Sequence, residues 1–170
     1  MTTVHVQHNS GNNEWYTPAY LIEAARSAMG SISTDPASCP VAQLNVKAEV
    51  FYTQETNGLD KHWFGNVWMN PPYSGKLVKQ FIDKLKYELS VGNTQQATVL
   101  VNNTTETQAG QSLLSMCDAV CFLKGRVKFL DETGEPKKTP LQGQMVLYFG
   151  DNTSKFMLNF QDLGTVFISQ

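Results

Sequence analysis

"NVWMNPPYSG", residues 66–75, runs a short apolar strand directly into two prolines and a tyrosine. Proline cannot donate to a β-ladder, so the strand must end at Met69. Beyond Met69 lies a rigid loop bearing an amide and an aromatic ring at a strand terminus. One reading is a plain proline-rich turn. The other is a clamp for a flat, amino-bearing group, and the neighbouring segments decide between them.

On the far side of the loop, "KLVKQFIDKLKYELSVG" (76–92) reads as an amphipathic helix. Leu77, Phe81, Ile82, Leu85 and Leu89 recur at helical spacing, with Lys79, Lys84 and Lys86 facing out. "ATVLVN" (97–102) is a nearly all-apolar strand, the pattern of a parallel strand covered on both faces. On the near side, "YTPAYLIEAARSAMG" predicts a helix capped by Thr17, with Pro18 at its first position and Gly30 as its stop. "SIST" predicts a strand ending at "DPAS". A short helix over 41–48 and a strand "EVFYT" (49–53) come next. Beyond the centre come a helix near 108–116, a strand "AVCFL" (119–123), and four short alternating strands, "RVKFL", "QMVLYFG", "KFMLNF" and "TVFIS", with no helix between them.

Alternating strands and helices succeeded by strands alone predict an α/β fold: a mainly parallel sheet with an antiparallel C-terminal hairpin at one edge. Ligands of such sheets sit beyond the carboxyl ends of the strands. The polar loops "DPAS", "YTQETNGL", "NPPYS" and "NNTTET" all fall there, and their convergence is the case for a site.

The clamp has a definite chemistry. The Asn70 side-chain oxygen and a proline carbonyl are both acceptors, and Pro71 brings no competing N–H. Together they can take both hydrogens of an exocyclic NH2, which frees the nitrogen lone pair for attack on an electrophile. Tyr73 can stack on the ring that bears the amine, worth about 1–3 kcal/mol. No strong general base is needed, and these loops contain no histidine.

Bulk properties bound the rest. The chain has 170 residues, 41% hydrophobic and 16% charged, ordinary for one globular domain burying roughly 70% of its unfolded surface. No apolar run approaches a membrane span, and the first residues, polar and expected to be flexible over 1–12, lack the pattern of a secretory signal. Cys39, Cys117 and Cys121 form no CxxC pair, which predicts free thiols, a reducing cytoplasmic setting and no metal site. The net charge of −2 excludes nucleic-acid binding through overall charge but leaves room for a local basic patch.

Taken in order, "NEWYTP", "DPAS", "FYTQETNGL…W", "W.NPPYS", "GRVKF" and "GQMVLYFG" resemble the phage and prophage DNA N-6-adenine-methyltransferases, the phage Dam-type family. The resemblance runs from about Asn13 to about Gly164. It implies a single domain over 13–170 with a Rossmann-like methyltransferase fold that uses S-adenosyl-L-methionine. It also implies transfer of a methyl group to adenine N6 in double-stranded DNA, at a short GATC-like site, in the cytoplasm of a host cell.

The same resemblance distributes roles. Asn70, Pro71, Pro72 and Tyr73 are the catalytic clamp. Trp15, Tyr16, Thr17 and Pro18 resemble the segment that packs on the methionine part of the cofactor. Asp35, Pro36, Ala37 and Ser38 resemble its motif after the first strand, although "DPASCPVAQ" lacks the glycine-rich turn of broader methyltransferases. Thr53 and Glu55 end the second strand, where an acidic residue meets the ribose. NPPY also occurs in methyltransferases acting on glutamine amides and, in variant form, on RNA amines, and a binding-only relative is a further alternative.

An adenine inside a duplex must be extruded, at a cost of a few kcal/mol, and something must hold the DNA. The segment 124–144 carries Lys124, Arg126, Lys128, Lys137 and Lys138, five of the thirteen basic residues. Within it, the run from Asp131 to Gln144 is longer than a tight hairpin turn needs. Arg126, Lys128, Lys137, Lys138 and Lys76 after the clamp are the expected DNA contacts.

Overall fold

Strand direction is the reason the site-bearing loops share one edge. In the computed structural model, which describes residues 15–137 and 142–170, seven strands form one sheet in the order β2-β1-β3-β4-β6-β5-β7. The strands are β1 Thr34–Asp35, β2 Val50–Phe51, β3 Gly65–Met69, β4 Thr94–Asn102, β5 Ala119–Leu123, β6 Gln144–Phe149 and β7 Gly164–Ile168. The pairs β1–β2, β1–β3 and β3–β4 are parallel. The carboxyl ends of those four strands therefore lie on a single edge. Antiparallel pairing of β6 with β4 returns residues 142–143 to the same edge.

The helices are α1 Ala19–Met29, α2 Gln43–Val46, α3 Gly75–Ser90, α4 Gln108–Met116 and α5 Thr153–Phe160. They cover both faces of the sheet, as the apolar strands require. Trp68, Leu100, Cys121, Val146 and Tyr148 point to the face under α1 and α5. Val67, Met69, Val99, Val120, Leu147 and Phe149 point to the face under α3 and α4. The period of two assigns each side chain to one face.

Gly30 ends α1 at φ 90°, a conformation that favours glycine. Ser74 and Thr107 cap α3 and α4 by accepting from the Leu77 and Gly110 amides.

Several expectations need correction. "KFMLNF" is the helix α5, not a strand. Its residues alternate as a strand's would, but Phe156 and Phe160 are four apart and both fully buried, with ring centroids 4.4 Å apart. The i, i+4 pair is the stronger signal. Because α5 intervenes and β5 lies between β6 and β7, the C-terminal strands are antiparallel without forming a hairpin with each other. "RVKFL" does alternate, with Val127 and Phe129 buried and Lys128 exposed, but among the described residues it makes only isolated bridges, from Leu130 to Tyr16 and Pro136.

Smaller differences concern side chains. Thr17 does not cap α1, and Pro18 occupies the cap position one residue ahead of the helix. The strand expected at "SIST" is confined to Thr34–Asp35. Leu77 is 37% exposed, whereas Glu88 is fully buried on the inner face of α3. Lys84 folds over it at 2.7 Å instead of facing out. Residues 1–12 and Lys138 lie outside the described residues.

Candidate active site

Asn70 comes directly after the last residue of β3 and is only half-buried. Its amide is oriented by three bonds. Nδ2 donates to the Thr17 hydroxyl at 3.2 Å and to the Trp15 carbonyl at 3.4 Å. Oδ1 accepts from the Tyr73 hydroxyl at 2.8 Å. With the nitrogen committed to the segment before α1, the oxygen turns toward Tyr73 and keeps a second lone pair free. Pro71 is buried and Pro72 exposed, so the loop is anchored through its first proline.

Tyr73 is half-buried, and burial raises its phenol above the ordinary value, so the hydroxyl stays a donor. Its ring meets Phe129 edge-on at 6.3 Å, and Phe129 meets Trp15 edge-on at 5.8 Å. Lys137 completes the row, its ammonium 5.1 Å from the Trp15 ring centroid. Tyr16 and Leu130 bond each other's backbone at 3.2 and 2.8 Å, which fixes the two segments together. Phe129 belongs to the quoted "GRVKF", but no local pattern places it beside Tyr73.

The Asp35 turn sits beside this cluster through α2. Gln43 Nε2 donates to Asp35 Oδ2 at 2.9 Å and to the Ser38 hydroxyl at 2.8 Å. Asn45 Nδ2 reaches the Thr17 carbonyl at 3.5 Å. Thus α2 ties the "DPAS" turn to the segment that orients Asn70. Gly58 packs against the same turn so closely that an added Cβ would lie 2.0 Å from the Pro36 carbonyl oxygen. The Trp63 indole holds Gly58 in place by donating to its carbonyl at 2.8 Å. Sequence reasoning misses both Gln43 and Gly58; the glycine and tryptophan of "NGLDKHW" are the signal that could have found the second.

Asp35 is 2% exposed. Burial pushes its carboxyl up to about 7, opposed by hydrogen bonds from Ser38, Ala37 and Gln43. A raised folded-state pKa means that the folded chain holds this proton more tightly than the unfolded chain does. Stability from this group is therefore full below the unfolded value near 4 and is lost as pH rises through about 7. Urea midpoints should fall between pH 5 and pH 8, and Asp35→Asn should flatten that fall.

Other predicted positions are peripheral. Thr53 closes a turn with Thr56 at 2.8 Å, and Glu55 is exposed. Lys76, Arg126 and Lys128 are exposed, while Lys137 is half-buried on Trp15. A cavity of about 450 Å³ opens at the carboxyl edge between α3 and α4, lined by Tyr73, Val78, Ile82, Asn102, Leu113 and Gln142 among others. Among the described residues no group of His, Cys, Asp and Glu is placed to hold a metal, and no helix is long and apolar enough to cross a membrane. Cys117 and Cys121 are buried free thiols.

An oriented asparagine, a buried proline and a tyrosine thus meet at the carboxyl edge of an α/β sheet. Comparison with known proteins makes this specific. The chain belongs to the DNA N-6-adenine-methyltransferase (Dam) family, whose model matches residues 5–163. It is 28% identical over 152 residues to the DNA N-6-adenine-methyltransferase of Haemophilus phage HP1, covering 88% of this chain and 85% of that protein. It is 36% identical over 77 residues to the protein of the same name from Escherichia phage T1. That second match spans 43% of this chain and 31% of the T1 protein.

Proposed function

We propose that this protein transfers a methyl group from S-adenosyl-L-methionine to the exocyclic N6 of adenine in double-stranded DNA, from a single Rossmann-like methyltransferase domain over residues 13–170. The observation that carries the reading is the orientation of Asn70. Its nitrogen is held by Thr17 and Trp15, so its oxygen is already turned toward Tyr73. Preorganised acceptors of this kind stabilise the amine as it becomes cationic in the transition state.

In this account Asn70 Oδ1 and the Pro71 carbonyl accept the two amine hydrogens, and the nitrogen lone pair is left free. Tyr73 moves its ring onto the base and exchanges its bond to Asn70 for stacking. Phe129 and Trp15 form the apolar wall that excludes water from the nucleophile. When bound, S-adenosylmethionine supplies an electrophilic sulfonium methyl group to that lone pair. The donor set along the edge suits such a cofactor. Thr17 accepts from Asn70 and keeps its own O–H for a carboxylate, while the half-buried Trp15 gives an apolar rim backed by the buried Tyr16 and Pro18. Asp35, Pro36, Ala37 and Ser38 shape the turn beside it, and Thr53 and the exposed Glu55 offer acceptors for ribose hydroxyls.

Base extrusion at a short, GATC-like sequence presents the adenine, with Lys76, Arg126, Lys128, Lys137 and Lys138 contacting phosphates. Lys128 is the cleanest test of that surface, because the alternation of its segment sends it outward between two buried residues. Lys128→Ala should weaken binding across sequences and reduce the salt dependence of log K by about one unit. An unchanged slope would remove Lys128 from the interface.

A tritiated-methyl assay offering duplex DNA, RNA and protein in parallel tests the function itself. Label in DNA adenine alone supports the reading; label in RNA or in protein glutamine would replace the acceptor. A DNA target would place the working enzyme in the cytoplasm of a host cell.

A further inference from the structure

Gln144 opens β6 at the carboxyl edge, and it is 1% exposed although the strand it begins is otherwise apolar. Burying a primary amide is costly unless both its ends are bonded. Here they are, and to two different parts of the site. Nε2 donates to Asn102 Oδ1 at 3.2 Å and to the Gln142 carbonyl at 2.9 Å. Oε1 accepts from the Val127 N–H at 3.2 Å.

Asn102 and Gln142 line the cavity of about 450 Å³ that Tyr73 also lines. Val127 begins the extended segment leading to Phe129, whose ring lies between Tyr73 and Trp15. Among the described residues that segment makes no ladder of its own, although the Lys137 N–H donates to the Phe129 carbonyl at 2.7 Å. Its far end is held by the backbone pair between Tyr16 and Leu130. At its near end, the bond from Val127 to Gln144 joins it to the sheet.

We propose that Gln144 is a positioning residue of the active site, tying the cavity wall at Asn102 to the segment that holds Phe129 behind Tyr73. The proposal rests on the methyltransferase reading for its catalytic consequence, while the tether itself is a property of the fold. Gln144 acts through Phe129 and Asn102. Displacing a wall of a preorganised site by about 1 Å is enough to slow chemistry by as much as a hundredfold without abolishing binding.

Two variants separate the two ends of the amide. Gln144→Leu removes every bond at similar length. Gln144→Glu keeps an acceptor for the Val127 N–H but replaces the donating NH2 with an oxygen that faces two other oxygens. Amide hydrogen exchange and steady-state methylation are measured on the full chain for both.

Gln144→Leu should speed exchange at Val127 by about tenfold or more and lower kcat by about tenfold, with KM for S-adenosylmethionine nearly unchanged. Gln144→Glu should retain protection at Val127 and still lose kcat, because Asn102 is released. Wild-type kcat in Gln144→Leu would overturn the proposal. So would a loss of kcat accompanied by equally faster exchange throughout β4 and α3, which would mark general destabilisation. Should the wild-type chain methylate no DNA, the methyltransferase reading fails by itself. Exchange then decides on the tether alone: protection at Val127 lost only in the leucine variant upholds it, and an unprotected Val127 in the wild type sinks it.

Discussion

Replacing Asn70 with alanine should lower kcat for adenine methylation by about a hundred- to a thousandfold, the range seen when one preorganised polar group is removed from a transition-state site. The variant deletes the acceptor that Tyr73 engages at 2.8 Å and the amide that Thr17 and Trp15 orient. Because Asn70 is only half-buried, water can satisfy the partners left behind, and the stability cost should stay near 1–2 kcal/mol. A variant that stays folded but is inactive is therefore the expected outcome, read from single-turnover rates beside a melting curve. Tyr73→Ala should be impaired by about five- to 150-fold through loss of stacking, worth about 1–3 kcal/mol. Tyr73→Phe keeps the ring and should retain most of the rate. Full activity in Asn70→Ala or Tyr73→Ala would refute the clamp.

The largest effect on stability is expected in the core under α5. Phe156 is fully buried and stacks on both Tyr148 at 5.3 Å and Phe160 at 4.4 Å. It joins α5 to the face of the sheet that α1 also covers. Phe156→Ala should cost about 3–5 kcal/mol in chemical denaturation. Leu158, two residues away and 67% exposed, should be nearly indifferent to the same change. That contrast has a second use, because a strand reading of "KFMLNF" puts 156, 158 and 160 on one face and would make both substitutions costly.

The failure at α5 shows where the sequence stops being informative. The six residues of "KFMLNF" alternate well enough for a strand, and only the i, i+4 phenylalanines distinguish a helix. By contrast, α3 carries a helical period over sixteen residues and β4 a continuous apolar run, and both form where the sequence puts them. "RVKFL" failed for a different reason. Its alternation is real, with Val127 and Phe129 inward, but among the described residues it forms only isolated bridges. Alternation reports burial on one side and not the presence of a partner.

The site was legible to the extent that it lies in sequence-local loops. The parallel pairing of β1 to β4 brings "DPAS", "YTQET", "NPPYS" and "NNTTET" to one edge, and the clamp and the segment at Thr17 meet through Asn70. What escaped was the support: Gln43 on Asp35, Gly58 under Pro36, Phe129 behind Tyr73 and Gln144 across the edge. Each depends on a contact between distant segments, and no local pattern encodes it. The fate of Lys137, held over Trp15, escaped for the same reason.

The central claim is that the oriented Asn70–Tyr73 loop methylates adenine N6 in DNA. Its most direct test is nucleoside analysis by mass spectrometry of unmethylated duplex DNA incubated with the protein and S-adenosylmethionine. The account predicts N6-methyladenine from the wild type and a trace at most from folded Asn70→Ala. Equal yields from both proteins, or methylation of cytosine instead of adenine, would contradict it.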